Sequence, residues 1–349
     1  MTAEGALRDE IVALIRKNPD RGISFSRFME LALYHPEHGY YCKPREIGRK
    51  GDFYTSVSVG ECFGMLLARK IEEVRQLLEL PEDFAVIEQG AHDGRLVADV
   101  LAHSPEGTRY RIVEPNPQLQ AAQLERLGEK IDHWRDGDPP HDAGVYICNE
   151  LVDAFPTHRI QYEAGEWREL RVVLENQVLT QAPFELSEKL RLFTPNLDVA
   201  VPDGFETEIC PAAADWVVTL PRYFKRGVFI IIDYGLTSDE FFEPERREGT
   251  LRCFRDHQAT DNPFEAIGET DITYQVDFSL LQSAAIETGL EVVYFDDQNH
   301  FLTEIAQDWL GELDGQPPSS AQAKLVRQFQ TLTHPGLMGR AFKCLTLRI

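Results

Sequence analysis

At 349 residues and 43% hydrophobic content, the chain can bury a large core, and its length suggests about two domains or one large domain with inserts. Asp and Glu number 58 against 35 Lys and Arg, a formal net charge of −23 that repels a phosphate backbone and argues against nucleic acid; such a charge also serves simply for solubility. Cys42, Cys62, Cys148, Cys210, Cys253 and Cys344 lie far apart with no zinc spacing, and no apolar run reaches the ~18 residues of a membrane span, so neither a metal nor membrane insertion is expected.

Met1 to Arg21 is amphipathic and mixed in charge. It lacks the apolar core of a signal peptide and the Arg-rich, acid-poor bias of a transit peptide, so a soluble cytoplasmic protein is expected. Leu7 to Ile15 and Ser26 to Leu33 read as amphipathic helices, the second stopped near Pro36 and Gly39. A polar loop with Gly51-Asp52-Phe53-Tyr54-Thr55-Ser56 precedes a helix from about Glu61 to Leu80, ended by Pro81. Residues 1–82 are thus expected to form an N-terminal helical segment that covers a cofactor or substrate.

At Phe84 the pattern changes. Val86 and Ile87 read as a strand buried on both faces, and Leu96, Val97, Val100 and Leu101 as one helical stripe. The joining loop carries Glu88, Gly90 and Gly94. A second strand, Tyr110 to Val113, ends in Glu114, twenty positions after Gly94, where an acid can grip ribose hydroxyls. Only two glycines remain of the G-x-G-x-x-G that a pyrophosphate demands, which favours S-adenosylmethionine over a dinucleotide. An ordinary βα turn that binds nothing would look the same at this loop alone.

Strands and helices then alternate, as in a parallel sheet with helices on its faces. Four strands end in polar tips: Glu88, Glu114, Asn149-Glu150 and Asp233-Tyr234-Gly235. Ligands of open α/β sheets bind outside such carboxyl ends, so these tips converge on one crevice. The core, 83–349, is interrupted at about 157–225, where Trp167 to Val173 alternates like a small antiparallel sheet, and at about 236–274, which reads as polar and irregular. A helix from Phe278 to Thr288, a strand from Val292 to Phe295, a helix from Ser319 to Leu332 and a strand from Phe342 to Leu347 complete the pattern.

Taken in order, several long segments resemble the MidA family of class I S-adenosylmethionine-dependent methyltransferases. They are Tyr34-His35-Pro36-Glu37-His38-Gly39-Tyr40-Tyr41, Ile47-Gly48, Gly51 to Ser56, Phe63-Gly64, Asn149 to Pro156, Trp167-Arg168-Glu169, Asp233-Tyr234-Gly235, Gly249 to Arg252, His257, and Asp271 to Thr273 with Val276-Asp277-Phe278. The resemblance spans nearly the whole chain. It implies an α/β, Rossmann-like seven-stranded class I methyltransferase sheet with an N-terminal helical segment and β-rich inserts. From the family's mitochondrial member it also implies methylation of an arginine in a complex I subunit. One departure stands out: His92 occupies the middle glycine of the family's E-x-G-x-G-x-G loop. A Cβ restricts positive φ and brings bulk toward the cofactor, so the expectation is that Asp93 or Gly94 carries the unusual angle and spares His92; the alternative is that the imidazole occupies cofactor space.

The candidate cofactor site is Glu88, Gly90, Gly94, Glu114 and Asn149, with Thr55 and Ser56 offering hydroxyls to the cofactor's carboxylate. A guanidinium nucleophile stays protonated at physiological pH and needs a carboxylate to bind it and take its proton. Glu150 and Asp153 are the candidates, although an acid at Asp153 also suits a helix N-terminus. His257 could relay the proton or be structural. Asp271 and Asp277 are placed at a substrate entrance, Asp277 equally as a helix N-cap; Tyr40 and Tyr41 suit a core. A protein substrate is expected. A non-catalytic assembly factor keeping the fold, and a small-molecule methyltransferase, are the rival readings.

Overall fold

Continuous runs of β-branched and aromatic residues decide where the sheet forms. The computed structural model describes residues 3–42, 55–194, 201–255, 258–260, 262–313 and 319–349, which divide between two compact units.

The first unit comprises residues 44–151, 217–235 and 282–349. Its strands are β1 (Ala85–Gln89), β2 (Arg109–Val113), β3 (Ile131–His133), β4 (Gly144–Asn149), β5 (Gly227–Leu236), β6 (Glu291–Asp297) and β7 (Phe342–Arg348), ordered β6-β7-β5-β4-β1-β2-β3. Neighbours from β5 through β3 are parallel, whereas β7 is antiparallel to both β5 and β6. The chain winds outward from β1 to β3 and then returns to lay β4 on the other side of β1. The order therefore reverses between β1 and β4, and a crevice opens at their carboxyl ends. These seven strands stand in the order of the expected methyltransferase sheet.

Both faces are buried, which is why β5 reads Val-Phe-Ile-Ile-Ile without alternation. On one face Val86, Ile112, Val145, Ile147 and Ile230 meet α1 (Cys62–Leu77), α2 (Arg95–Ala102), α4 (Gln298–Glu312) and α5 (Ser320–Thr333) through Phe63, Leu66, Val97, Val100, Phe301 and Phe329. On the other, Tyr146 and Phe229 pack against Tyr223 and Phe224. Helix α3 (Pro117–Leu127) links β2 to β3. The sequence reading lacked β3, α3 and α4. β3 is three residues long with Asp132 exposed, too short for a periodic signal.

The second unit gathers residues 1–43, 152–216 and 236–281. Helices Ala3–Lys17 and Phe25–Tyr34 lie near those expected. Strand Glu166–Glu175 pairs with Val178–Glu185 along one edge; its other edge is shared by His158–Glu163 and Gly22–Ser24, and Phe205–Ile209 continues beyond His158–Glu163, all antiparallel. The stretch expected to be irregular instead holds a three-stranded antiparallel sheet, with Arg252–Arg255 between Gln258–Thr260 and Asp271–Thr273. Very short strands on a polar background leave little alternation to detect. Residues 1–82 are accordingly not one segment. The apolar face of α1 covers the large sheet, and the first two helices belong with the inserts. Among the described residues, no helix is long and apolar enough to cross a membrane.

Candidate active site

The loop after β1 turns through three left-handed residues, Gly90 (φ 80°), His92 (φ 45°) and Gly94 (φ 78°). His92 therefore carries the unusual angle itself, contrary to the expectation that Asp93-Gly94 would spare it. Asp93 has other work. Its carboxylate accepts from the Arg95 backbone N–H (3.2 Å) and pairs with Arg95 Nε (3.0 Å) and Arg126 Nη2 (2.9 Å), tying down the start of α2. Burial opposes that charge, but His92, Arg95 and Arg126 outweigh it and hold the pKa below the usual carboxylate range. Both glycines are favoured by their left-handed backbone. A Cβ on Gly90 would lie 3.0 Å from Leu151 Cδ1, and one on Gly94 2.8 Å from Leu127 Cδ1, in addition to the left-handed cost.

Helix α3 holds this loop, by residues the sequence reading missed. Gln123, fully buried, donates from Nε2 to the His92 carbonyl (2.7 Å), while its Oε1 meets His133 Nε2 on β3 (2.8 Å). Arg126 Nε donates to the Asp93 carbonyl (2.8 Å). At i and i+3 the two share one face of the helix. The available signal was the helix start at Asn116-Pro117, where Asn116 Oδ1 accepts from the Gln118 N–H (2.9 Å).

The two acids of the cofactor set differ in setting. Glu88 is 3% exposed and points from β1 into the apolar core, where the Tyr110 hydroxyl donates to it. Burial pushes its pKa up to about 7, and the Tyr110 bond opposes that rise. Glu88 thus sits beneath the loop. Glu114, at the tip of β2, accepts from the Asn116 N–H (2.8 Å); burial raises its pKa, opposed by that bond, a charge on His92 and Gln123.

At the tip of β4, Asn149 Nδ2 donates to Glu150 Oε1 (2.9 Å), and the Ser56 backbone N–H reaches the same oxygen at 3.2 Å. Glu150 is half-buried in left-handed backbone (φ 52°), its own N–H held by the Ile232 carbonyl (2.9 Å). Asp233 on β5, buried, accepts from the Leu151 N–H (3.1 Å). Burial pushes the Glu150 pKa up to about 8, opposed by Asn149 and Ser56 and reinforced by Asp233. The Ser56 hydroxyl, expected to face the cofactor, donates instead to Gln298 Oε1 (3.1 Å), and Thr55 Oγ1 caps the turn Ser56–Val59 by accepting from the Ser58 N–H (3.1 Å). Their contribution here is the Ser56 N–H on Glu150.

Other candidates lie in the second unit. Asp153 is buried in a 3₁₀ turn, Val152–Ala154, and its carbonyl accepts from the Tyr274 N–H (3.1 Å); it does not start an α-helix. Asp271, also buried, takes the Tyr41 hydroxyl on both oxygens (2.9 and 3.1 Å). Burial, then Asp271, pushes the Tyr41 pKa well up. Asp277 Oδ1 accepts from the Ser279 and Leu280 N–H groups (2.9 and 3.2 Å), as a helix N-cap does. His257 lies outside the described residues, as do Gly48 and Gly51 to Tyr54.

The crevice fits a nucleoside cofactor on observations of its own. Two buried polar atoms at the strand ends, Asn149 Oδ1 and His92 Nδ1, have no hydrogen-bond partner among the described residues. Gly90, Gly94, Glu114 and Asn149 would hold such a group, supported by Glu88 from below.

A doubly wound sheet of this order, with polar tips around its switch point, defines a class I methyltransferase. The model of the S-adenosyl-L-methionine-dependent methyltransferase family matches residues 66–295, and the chain belongs to that family. A candidate methyl transferase from Burkholderia thailandensis, crystallised with S-adenosylhomocysteine, is 30% identical and superposes with a TM-score of 0.88, covering 99% of this chain and 92% of the other. The mitochondrial protein arginine methyltransferase NDUFAF7 of Danio rerio is 27% identical over 92% of this chain and 82% of its own length; that of Homo sapiens is 26% identical over 93% and 80%. The protein is a MidA-type methyltransferase, and S-adenosylmethionine is its cofactor.

Proposed function

We propose that the enzyme methylates an arginine side chain of a protein. Glu150 carries the reading. Its carboxyl is fixed at the carboxyl end of β4 by Asn149 and the Ser56 N–H, and burial pushes its pKa up to about 8. Alone at neutral pH it is largely protonated. An arriving guanidinium favours the ionised form, so the acid releases its proton as the cation docks and becomes a carboxylate beside the nucleophile. That carboxylate orients the guanidinium and takes its proton as nitrogen attacks the methyl group, which the cofactor supplies. Asp153 and His257 are proposed as partners in binding and proton relay. The NDUFAF7 proteins named as arginine methyltransferases support this substrate class, and a net charge of −23 favours a basic partner. Six free cysteines, five of them buried, support a reducing compartment such as the cytoplasm.

Glu150→Gln tests the proposal. Affinity for S-adenosylhomocysteine should stay within about threefold while methyl transfer to arginine peptides falls by about a hundredfold or more, because the amide keeps the shape without the basicity. Turnover surviving in Glu150→Gln would sink the arginine reading.

A further inference from the structure

His92 stands where the loop calls for glycine, in a conformation glycine adopts freely, at φ 45°. Within the protein the imidazole faces the neighbouring Asp93 carboxylate, whose pKa it helps to hold down. Nδ1 is buried and has no hydrogen-bond partner among the described residues; the Asp93 carboxylate is 3.9 Å away, beyond hydrogen-bond reach. Buried polar atoms left unpaired are rare and costly, and those at a binding crevice are met by the ligand. The backbone around the ring is meanwhile held firmly. Gln123 holds the His92 carbonyl, and Arg126 the next one, so the ring is presented from a fixed loop rather than a loose one. In the parallel register of β1 and β2, Gln89 lies opposite Val113, so the loop that carries His92 begins beside Glu114.

We propose that His92 is a direct cofactor ligand, its Nδ1 hydrogen-bonding a ribose hydroxyl of S-adenosylmethionine beside Glu114. The histidine then replaces backbone freedom with a side-chain contact. The inference rests on the cofactor and not on the identity of the methylated substrate.

Titration calorimetry with S-adenosylhomocysteine and with adenosine tests it, on the parent, His92→Gly and His92→Asn. Asparagine tolerates left-handed backbone and carries a polar atom near the place of Nδ1. The expected result is binding of both ligands about five- to tenfold weaker in His92→Gly, the loss of one ordinary hydrogen bond, and within about threefold of the parent in His92→Asn. Thermal unfolding of each variant confirms that it is folded. Three results would overturn the proposal: His92→Gly binding as tightly as the parent or more tightly, equal losses in the glycine and asparagine variants, or a loss for S-adenosylhomocysteine that adenosine does not share.

Discussion

Glu88 and Glu150 are acids held above their usual range by burial, Glu88 to about 7 and Glu150 to about 8, against 4.5 for an unburied glutamate. The folded protein therefore holds these protons more tightly than the unfolded chain does. Their contribution to stability is full below about pH 4.5 and is lost as pH rises through 7 and 8. The unfolding free energy of the cofactor-free enzyme, from urea titrations, should accordingly fall between pH 5 and 8.5, by about 1–3 kcal/mol per acid after screening by solvent. Glu88→Gln should flatten the fall below about pH 7, and Glu150→Gln the part that continues to about 8. A Glu88→Gln curve parallel to the parent's would show that Glu88 is not the proton holder. His92 makes a separate prediction. Left-handed backbone costs a non-glycine residue about 1–2 kcal/mol, and glycine adds about 0.5–1 kcal/mol of unfolded-chain entropy. His92→Gly should thus leave stability unchanged or raise it by up to about 1 kcal/mol in urea titrations, whereas ordinary backbone at this position would give a net loss.

Helix α3 is the element on which the cofactor loop hangs. Gln123→Ala removes the bonds to the His92 carbonyl and to His133 and should cost about 2–3 kcal/mol of stability, as expected for two buried bonds, with weaker S-adenosylhomocysteine binding. Stability lost with affinity intact would mean that the loop keeps its shape unaided. That this helix went unread, while β1, β2, β4 and β5 were plain, has a physical cause. β1, β4 and β5 are buried on both faces and show as apolar runs, while β2 alternates, with Tyr110 and Ile112 buried. Helix α3 buries only Leu119, Gln123 and Leu127, one of them polar, so its start signal was stronger than its periodicity. The polar tips could be listed from sequence because each directly follows or ends a readable strand. The partners of those tips could not. That Ser56 presents its N–H to Glu150 and its hydroxyl to Gln298 depends on contacts 94 and 242 residues apart. The left-handed state of His92 is likewise a choice its residue type permits without announcing.

Taken whole, the chain passes between its two units five times, after residues 43, 151, 216, 235 and 281. Each unit is assembled from three separated segments. Neither can begin to unfold without releasing ends held by the other, so a single transition is expected. Trp134 and Trp309 report one unit, Trp167 and Trp216 the other. S-adenosylhomocysteine at about a hundred times its Kd should raise stability by about 2.7 kcal/mol by mass action. Variants keeping tryptophans in only one unit should show the same shift, and separate midpoints would establish that the units melt independently.

The position of β7 bears on how the molecule is made in a cell. Phe342–Arg348 follows every other strand of this sheet in the sequence, yet it is not at an edge; it fills the gap between β5 and β6. Until Phe342–Arg348 emerges, β5 lacks a neighbour on that side although its run of isoleucines has long been synthesised. For that interval the nascent chain presents an open, apolar strand edge of the kind that recruits other chains. Molecules cut off by premature termination just before residue 342 would keep that edge permanently, and their expected fate is capture by chaperones or insoluble deposits rather than a weakened enzyme.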